Sequence, residues 1–322
     1  GTHNAPDERI NFSENGVWEY PEGSVLVKHF DLPINDNNPN ITRKIETRFS
    51  IKCQNGEFYF LTYNWNAAQT DAALQEVSLT EPIAITTTSG GTRYQNWYFP
   101  SNSDCIACHN AVSKGTLGPR TRYLNKDFTY DKTGITANQL VTLSYLGILD
   151  QTINDSDTPG YLTHKSIYDT NASIDDKARS YLDLNCAYCH RPGTGNRAEF
   201  DLRLFNTLEE TGLLTANTLN PIGVEGETIL VPGDASRSIL YHRTNSLDPN
   251  IMMPPLAKGV IDADGVALIE EWINQLGGAT NEPPVAFNGA TPLSGEAPLD
   301  VTFIVINSTD DTGVFLSLIN IT

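Results

Sequence analysis

The sequence has no long apolar run and few basic residues. Its longest strongly apolar stretch, residues 301–306, has the length of a strand, whereas a membrane-spanning helix needs about 20 apolar residues. Lysine and arginine total 21 against 39 aspartates and glutamates, which gives a net charge of −18. An acidic surface of this size repels phosphate backbones and anionic lipid headgroups, so we expect neither nucleic-acid binding nor docking on a membrane surface. The missing apolar run predicts no membrane span. The acidic surface favours a basic protein partner.

Cysteine is also scarce, and its placement is informative. Four of the five cysteines form two pairs, and a histidine follows each pair at once: Cys105, Cys108 and His109, then Cys186, Cys189 and His190. This Cys-x-x-Cys-His pattern is typical of c-type haem attachment, because two thiols bind the two porphyrin vinyl groups and the adjoining imidazole binds the iron. A zinc knuckle, a redox dithiol or a pair of disulfides would not require the histidine. The sequence therefore predicts two covalently attached haem c groups, with His109 and His190 as iron ligands.

The N-terminus shows no signal peptide, because Gly1 opens into a polar segment. A processed exported chain and a cytosolic chain both begin in this way. Covalent haem attachment normally takes place outside the cytoplasmic membrane. We therefore expect an extracytoplasmic protein, in the periplasm, at the cell surface or outside the cell, with its signal peptide already removed.

The pattern of residues changes along the chain, which predicts an α+β protein. Residues 1–100 contain β-branched and aromatic runs separated by turn signals, including Asn55-Gly56 between two alternating runs, and predict a β-rich domain. Residues 101–280 predict a mainly α-helical dihaem region, divided into a first haem region (101–164) and a second haem domain (165–280). Residues 281–322 resemble the opening strands of a PKD-type (polycystic kidney disease) immunoglobulin-like sandwich, but only part of one.

Five helices are expected from apolar spacing and capping residues. They are a short helix over 71–76, helices that begin at Ser101, Thr136 and Ser173, and a long helix over 262–276 that two glycines end.

The only two methionines are adjacent and precede two prolines, in the order Met252, Met253, Pro254, Pro255. The order of helix, haem motif, Met-Pro loop and helix resembles a class I cytochrome c. A thioether on the far side of the iron raises the reduction potential and fills the site, which suits electron transfer. Met253, next to the prolines, is the expected ligand of the second haem, and Met252 is expected to be its neighbour.

The first haem has no ligand in its own loop, since residues 110–163 contain neither methionine nor histidine. His29 is favoured as the sixth ligand, because an imidazole in an apolar strand needs a partner. The alternatives are His164, His242, His3, Met252, a residue of another chain, or an open iron.

Taken together, residues 10–278 resemble a family of secreted dihaem c-type cytochromes. The resemblance is carried by the segments 18–28, 65–71, 105–125, 181–193 and 252–255. It implies an extracytoplasmic electron carrier whose partners are redox proteins or external electron acceptors.

Two other functions compete with electron transfer as explanations of the sequence. A dihaem peroxidase would use an open first haem, although the sequence offers no convincing acid or base beside the first motif, and no catalytic residue is assigned. A structural subunit would use the incomplete sandwich, whose unpaired strand edges would pair with another copy and could give a filament.

Overall fold

The computed structural model describes residues 8–194 and 200–276, and the backbone of two short strands, β9 (Gly289–Thr291) and β10 (Thr302–Ile304), which pair antiparallel. The predicted PKD-like segment, 281–322, lies otherwise outside the described residues. Among the described residues, no helix has both the length and the apolar character needed to cross a membrane.

The N-terminal part is β-rich, as expected. Its strands are β1 (Val25–Pro33), β2 (Thr42–Lys52), β3 (Phe58–Trp65), β4 (Ala72–Leu74), β5 (Leu79–Thr86) and β6 (Thr92–Phe99). The first four form one antiparallel sheet in chain order, and β5 and β6 form a separate hairpin. The hairpin packs on the sheet through a small core of Ile45, Ile83 and Phe99.

Two local expectations in this part have opposite outcomes. The turn at Asn55-Gly56 joins β2 to β3, and Gly56 has a φ of +82°, which a glycine adopts without strain. The helix expected over 71–76 is wrong, because Ala72–Leu74 forms β4 against Tyr63–Trp65. Pairing with an existing strand outweighs the weak local preference for a helix.

The two faces of the four-stranded sheet have different neighbours. Side chains alternate between the faces along a strand, and directly paired residues share a face. Lys28 pairs with Arg48, which pairs with Thr62, whereas His29 pairs with Thr47, which pairs with Tyr63. We call the first set the motif face, because the first cysteine motif lies against it, and the second set the outer face.

The region 101–276 is not mainly helical, so that part of the predicted fold class is wrong. Its helices in the described residues are α1 (Asn102–Cys108), α2 (Thr121–Leu124), α3 (Gln139–Tyr145), α4 (Ile174–Asn185), α5 (Leu208–Thr211), α6 (Ile239–Thr244) and α7 (Ala263–Leu276). Only α4, with 12 residues, and α7, with 14, are longer than two turns. Loops and a hairpin of β7 (Asp127–Tyr130) and β8 (Ile135–Asn138) make up much of the remainder.

Glycines and a β-hairpin explain the shortfall in helix. Gly147 and Gly212 adopt positive φ after α3 and α5, which stops each helix although apolar residues follow. Thr136 does not begin a helix; it pairs with Thr129 across the β7–β8 hairpin, and Asn138 caps α3 instead. Apolar spacing alone therefore overestimated the helices.

The helices expected at Ser101, Ser173 and over 262–276 are confirmed as α1, α4 and α7. Helices α4 and α7 pack together around the largest core, which includes Leu182, Ile269, Trp272 and Ile273. The indole Nε1 of Trp272 donates to Asp175 at the start of α4, over 2.8 Å. This core holds the helix that leads into the second motif.

A second core joins the N-terminal segment to the first haem region. Trp18 and Tyr20 pack with Leu140, Leu149 and Ile153. The core therefore crosses the predicted domain boundary at residue 100.

Candidate functional site

The first motif begins at a capped helix. Ser101 and Asp104 form a capping box at the start of α1, which presents Cys105 and Cys108 one turn apart and ends at His109. Asp104 also accepts hydrogen bonds from Ser78 and Tyr98, and these bonds, chiefly that from Ser78, hold the pKa of Asp104 at about 2. Helix α1 is thus tied to the β-rich part at its first turn.

The His109 ring is oriented by its own loop and by the sheet. Its Nδ1 lies 2.9 Å from the carbonyl oxygen of Gly115 and donates to it, and its ring centroid lies 4.8 Å from that of Phe60. Burial lowers the pKa of His109. The ring is therefore neutral, and Nε2 is the nitrogen suited to binding iron.

Only glycine fits at position 115. Its φ is +75°, and a Cβ at this position would lie 2.0 Å from Cδ2 of Phe58. The carbonyl that orients His109 is therefore held directly against the sheet.

The second motif follows α4, which Ser173 caps. The His190 ring stacks on Phe200, with centroids 4.4 Å apart and an angle of 8° between the ring planes. Burial, with a smaller effect of the Arg243 charge, lowers the pKa of His190 to about 4. This imidazole is thus neutral at physiological pH, as an iron ligand must be.

Cys186, His190 and Met253 line one cavity of about 110 Å³. Met252 does not line it. The rest of the wall is mostly apolar and includes Phe200, Leu202, Asn217, Thr218, Leu219, Asn220, Ile229, Ile239, Leu240, Arg243 and Thr244.

The methionine loop is fastened at several points. The Met253 backbone N–H donates to the Arg243 carbonyl over 2.9 Å, and the Lys258 ammonium donates to the Met253 carbonyl over 3.1 Å. The Arg243 guanidinium donates to the carbonyls of Ile251 and Asn220. The Met253 side chain is thus held at the cavity by backbone contacts on both sides of the loop.

These residues fit haem c. Both motifs supply two thiols and a neutral imidazole, and the cavity at the second motif has the mostly apolar wall that a porphyrin requires. Cys105, Cys108 and His109 would hold one haem, and Cys186, Cys189, His190 and Met253 would hold the other.

The two motifs lie side by side. The thiols of Cys108 and Cys189 are neighbours, and their interaction lowers the pKa of Cys108 to about 7. Arg191 donates from Nη2 to the Val112 carbonyl over 2.9 Å, so the loops after the two motifs also touch.

A buried ionic cluster joins the same two regions. Asp183 of α4 is fully buried, and it accepts hydrogen bonds from Nε and Nη2 of Arg122 and from Nε2 of His164. Arg122 lies on α2, just after the first motif. Such a cluster is strongly destabilised when one partner is removed, because a buried charge then remains.

The structure does not bring His29 to His109. His29 projects from the outer face of the sheet, where its Nδ1 lies 2.8 Å from the Thr47 hydroxyl, whereas His109 lies against the motif face. The reason is strand alternation, which places the neighbouring residues Lys28 and Phe30, not His29, on the motif face.

The other candidate histidines are engaged elsewhere or lie outside the described residues. His164 binds Asp183, and Nε2 of His242 lies 2.7 Å from the Ser236 carbonyl oxygen. His3 lies outside the described residues.

Sequence reasoning missed the polar side chains beside the first motif. Arg48 and Lys28 both lie close enough to His109 for their charges to lower its pKa. The charges of Arg48 and Glu46 also reach the Cys105 thiol, where Arg48 lowers the pKa and Glu46 raises it. Glu46 is 1% exposed and pairs with Arg48 over 2.5 Å. The alternation of side chains along β2 places Glu46 and Arg48 on the same face of the sheet. It does not show which face of the sheet the first motif covers.

Comparison with known proteins supports a haem site at the second motif. No curated protein and no solved structure matches the chain. Residues 186–256 match the family described as Planctomycete cytochrome C, and this match runs from Cys186 to just past Met253. The chain therefore contains a cytochrome c-like region, for which covalently bound haem c is the implied cofactor.

Proposed function

We propose that the protein is an extracytoplasmic c-type cytochrome that carries two covalently attached haems and transfers electrons. The observation that carries the proposal is the single apolar cavity lined by Cys186, His190 and Met253. When bound, haem supplies one-electron redox chemistry. The residues of this chain attach it, bind its iron and limit its contact with water.

The two cysteines and the histidine of the second motif have counterparts at the first motif, which supports the count of two. His109 is partly buried, neutral and oriented by Gly115, although no family match covers this part of the chain. The contact between Cys108 and Cys189 makes the two attachment sites neighbours, as an electron carrier with two centres requires.

Mass spectrometry of the denatured chain tests the count. We expect two haem masses above the mass of the polypeptide. Replacing Cys105 and Cys108 by serine should remove one haem, and replacing Cys186 and Cys189 should remove the other. Cys53→Ser is the matched control, because Cys53 is an exposed cysteine outside both motifs. A wild-type chain with one haem, or with none, would contradict the proposal.

The expected partners are redox proteins or external electron acceptors, and the net charge of −18 favours basic ones. Electron exchange with a basic partner should therefore slow as ionic strength rises. Self-association into a filament through strand edges of 281–322 is a separate proposal. Electron microscopy and light scattering test it, and a monodisperse species of about 35 kDa at all concentrations would exclude it.

A peroxidase is a second candidate, because Glu46 and Arg48 place a carboxylate and a guanidinium beside the first motif. Reduction of hydrogen peroxide to two water molecules takes up two electrons and two protons, and a buried carboxylate could move the protons. Peroxide consumption by the reduced protein tests this function. It should be lost in Glu46→Gln and kept in Glu81→Gln, which disrupts the ion pair to Arg43 in the same part of the molecule.

A further inference from the structure

Three buried hydrogen-bond donors near the first motif have no partner among the described residues. They are Nη2 of Arg120, the hydroxyl of Tyr20 and the hydroxyl of Thr116. The residues are 3%, 8% and 2% exposed, respectively. Buried polar groups are almost always hydrogen-bonded, so three unpartnered donors in one region need an explanation.

The three residues lie in one region of the fold. The Arg120 charge acts on the Tyr20 hydroxyl, and the Tyr20 ring lies edge-on to Phe58 with centroids 6.5 Å apart. Phe58 in turn lies against Gly115, the residue before Thr116. An ion pair between Glu19 and Lys114 also joins the same two segments.

This region borders the first motif. Gly115 accepts the hydrogen bond that orients His109, and Phe60, which lies next to His109, stacks on Phe58. The three donors therefore belong to the part of the fold that borders His109 and its loop.

The charge in the region is positive. Asp183, the buried carboxylate whose charge reaches Arg120, is already bound by Arg122 through two hydrogen bonds. Burial lowers the pKa of Arg120 most, and the neighbouring Arg122 lowers it further, so the charge of Asp183 compensates the guanidinium only in part. A guanidinium and two hydroxyls suit one ligand class above others, a carboxylate.

We propose that Arg120, Tyr20 and Thr116 form a carboxylate-binding site that receives a propionate of the haem attached at the first motif. This inference rests on the proposed function, since it requires a haem there. It also gives the N-terminal segment a role, because Tyr20 comes from outside the motif and its loop.

The test is a set of variants of the full, haem-loaded chain, followed by spectroelectrochemistry and resonance Raman spectroscopy. Tyr20→Phe removes only a hydroxyl that has no protein partner, so the variant should fold. We expect one vibrational mode of a haem propionate to shift and the reduction potential of the first haem to fall. The potential falls because a propionate that is bound less tightly keeps more of its negative charge near the iron, and this charge stabilises ferric iron. The potential of the second haem should not change.

The arginine variants separate hydrogen bonding from charge. Arg120→Gln should lower the potential of the first haem more than Tyr20→Phe does. Arg120→Lys keeps the positive charge, so the potential of the first haem should lie close to the wild-type value. The carboxylate mode should stay shifted, because the hydrogen bonds of the guanidinium are lost. Arg93→Gln is the control for loss of one positive charge, because Arg93 pairs with Asp36 at the surface, and it should change neither signal.

The possible outcomes separate the two proposals. A chain without a haem at the first motif would overturn the proposed function. A chain with both haems, in which Tyr20→Phe and Arg120→Gln leave the carboxylate modes and the first potential at their wild-type values, would overturn the carboxylate site alone.

Discussion

The two motifs have the same pattern of residues but different surroundings. The first lies against a sheet face that carries Lys28, Glu46 and Arg48, and a loop glycine orients its histidine. The second borders an apolar cavity that also contains Met253. The five-residue pattern therefore specifies where a haem is attached. The ligand on the far side of the iron and the charges around the haem depend on distant parts of the chain.

The largest effect should come from removing the feature that most distinguishes the second site. Met253→Leu keeps the volume of the side chain but removes the sulfur, so the second haem should fall in potential or become high-spin. Met252→Leu is the matched control, because Met252 does not line the cavity, and it should have little effect. Potentials and electron paramagnetic resonance spectra of both variants check this, and the reverse pattern would assign the ligand to Met252.

The buried cluster that links the two sites should matter most for stability. Asp183→Asn leaves Arg122 without its charged partner and should cost about 3–5 kcal/mol in the free energy of unfolding. Asp36→Asn removes a surface ion pair with Arg93, which solvent screens, and should cost far less. Urea unfolding measures both, and equal losses would show that the cluster does not hold the sites together.

Gly115→Ala should affect the first site and leave the second intact. The positive φ costs an alanine about 1–3 kcal/mol, and the clash with Phe58 adds to this. The Gly115 carbonyl would move away from His109, so haem content or the spectrum at the first site should change. Gly90→Ala is the control, since Gly90 has a φ of +83° but nothing within 4 Å of a Cβ. If both variants behave alike, the close approach to Phe58 has no role.

The sequence predicted features that depend on a few adjacent residues. The two motifs, the turn at Asn55-Gly56 and the helix caps at Ser101 and Ser173 are of this kind. The location of Met253 beside His190 was also anticipated, because a methionine before two prolines is a distinctive signal.

Features that depend on pairing between distant segments were not predictable in this way. The face on which His29 lies depends on which side of the sheet the motif covers, and nothing in the strand itself shows that. The helix expected from Thr136 begins only at Gln139, because Thr136 pairs with Thr129 in a hairpin. The unpartnered donors of Arg120, Tyr20 and Thr116 become visible only when two distant segments of the chain meet.

The smallest expected change in the free energy of unfolding concerns the caps of α1 and α4, the helices that lead into the two motifs. Asp104 in α1 accepts hydrogen bonds from Ser78, Tyr98 and Ser101, and its pKa is about 2. A carboxyl whose pKa is lower in the folded chain than the ordinary 3.8 stabilises the fold above that pH, and loses the effect as the pH falls towards 2.

Asp104→Asn should therefore cost about 0.5–1 kcal/mol at neutral pH, a modest value because the group is largely exposed. The gap between wild type and variant should close as the pH falls from about 5 to about 2, as measured by denaturant unfolding. Asp176→Asn is the control at α4, where the carboxylate accepts a hydrogen bond from the capping Ser173 but none from the β-rich part of the chain. Its loss should be smaller than that of Asp104→Asn, because no contact between two parts of the molecule is broken. A pH-independent gap for Asp104→Asn would show that the side chain acts through its shape and not through its charge.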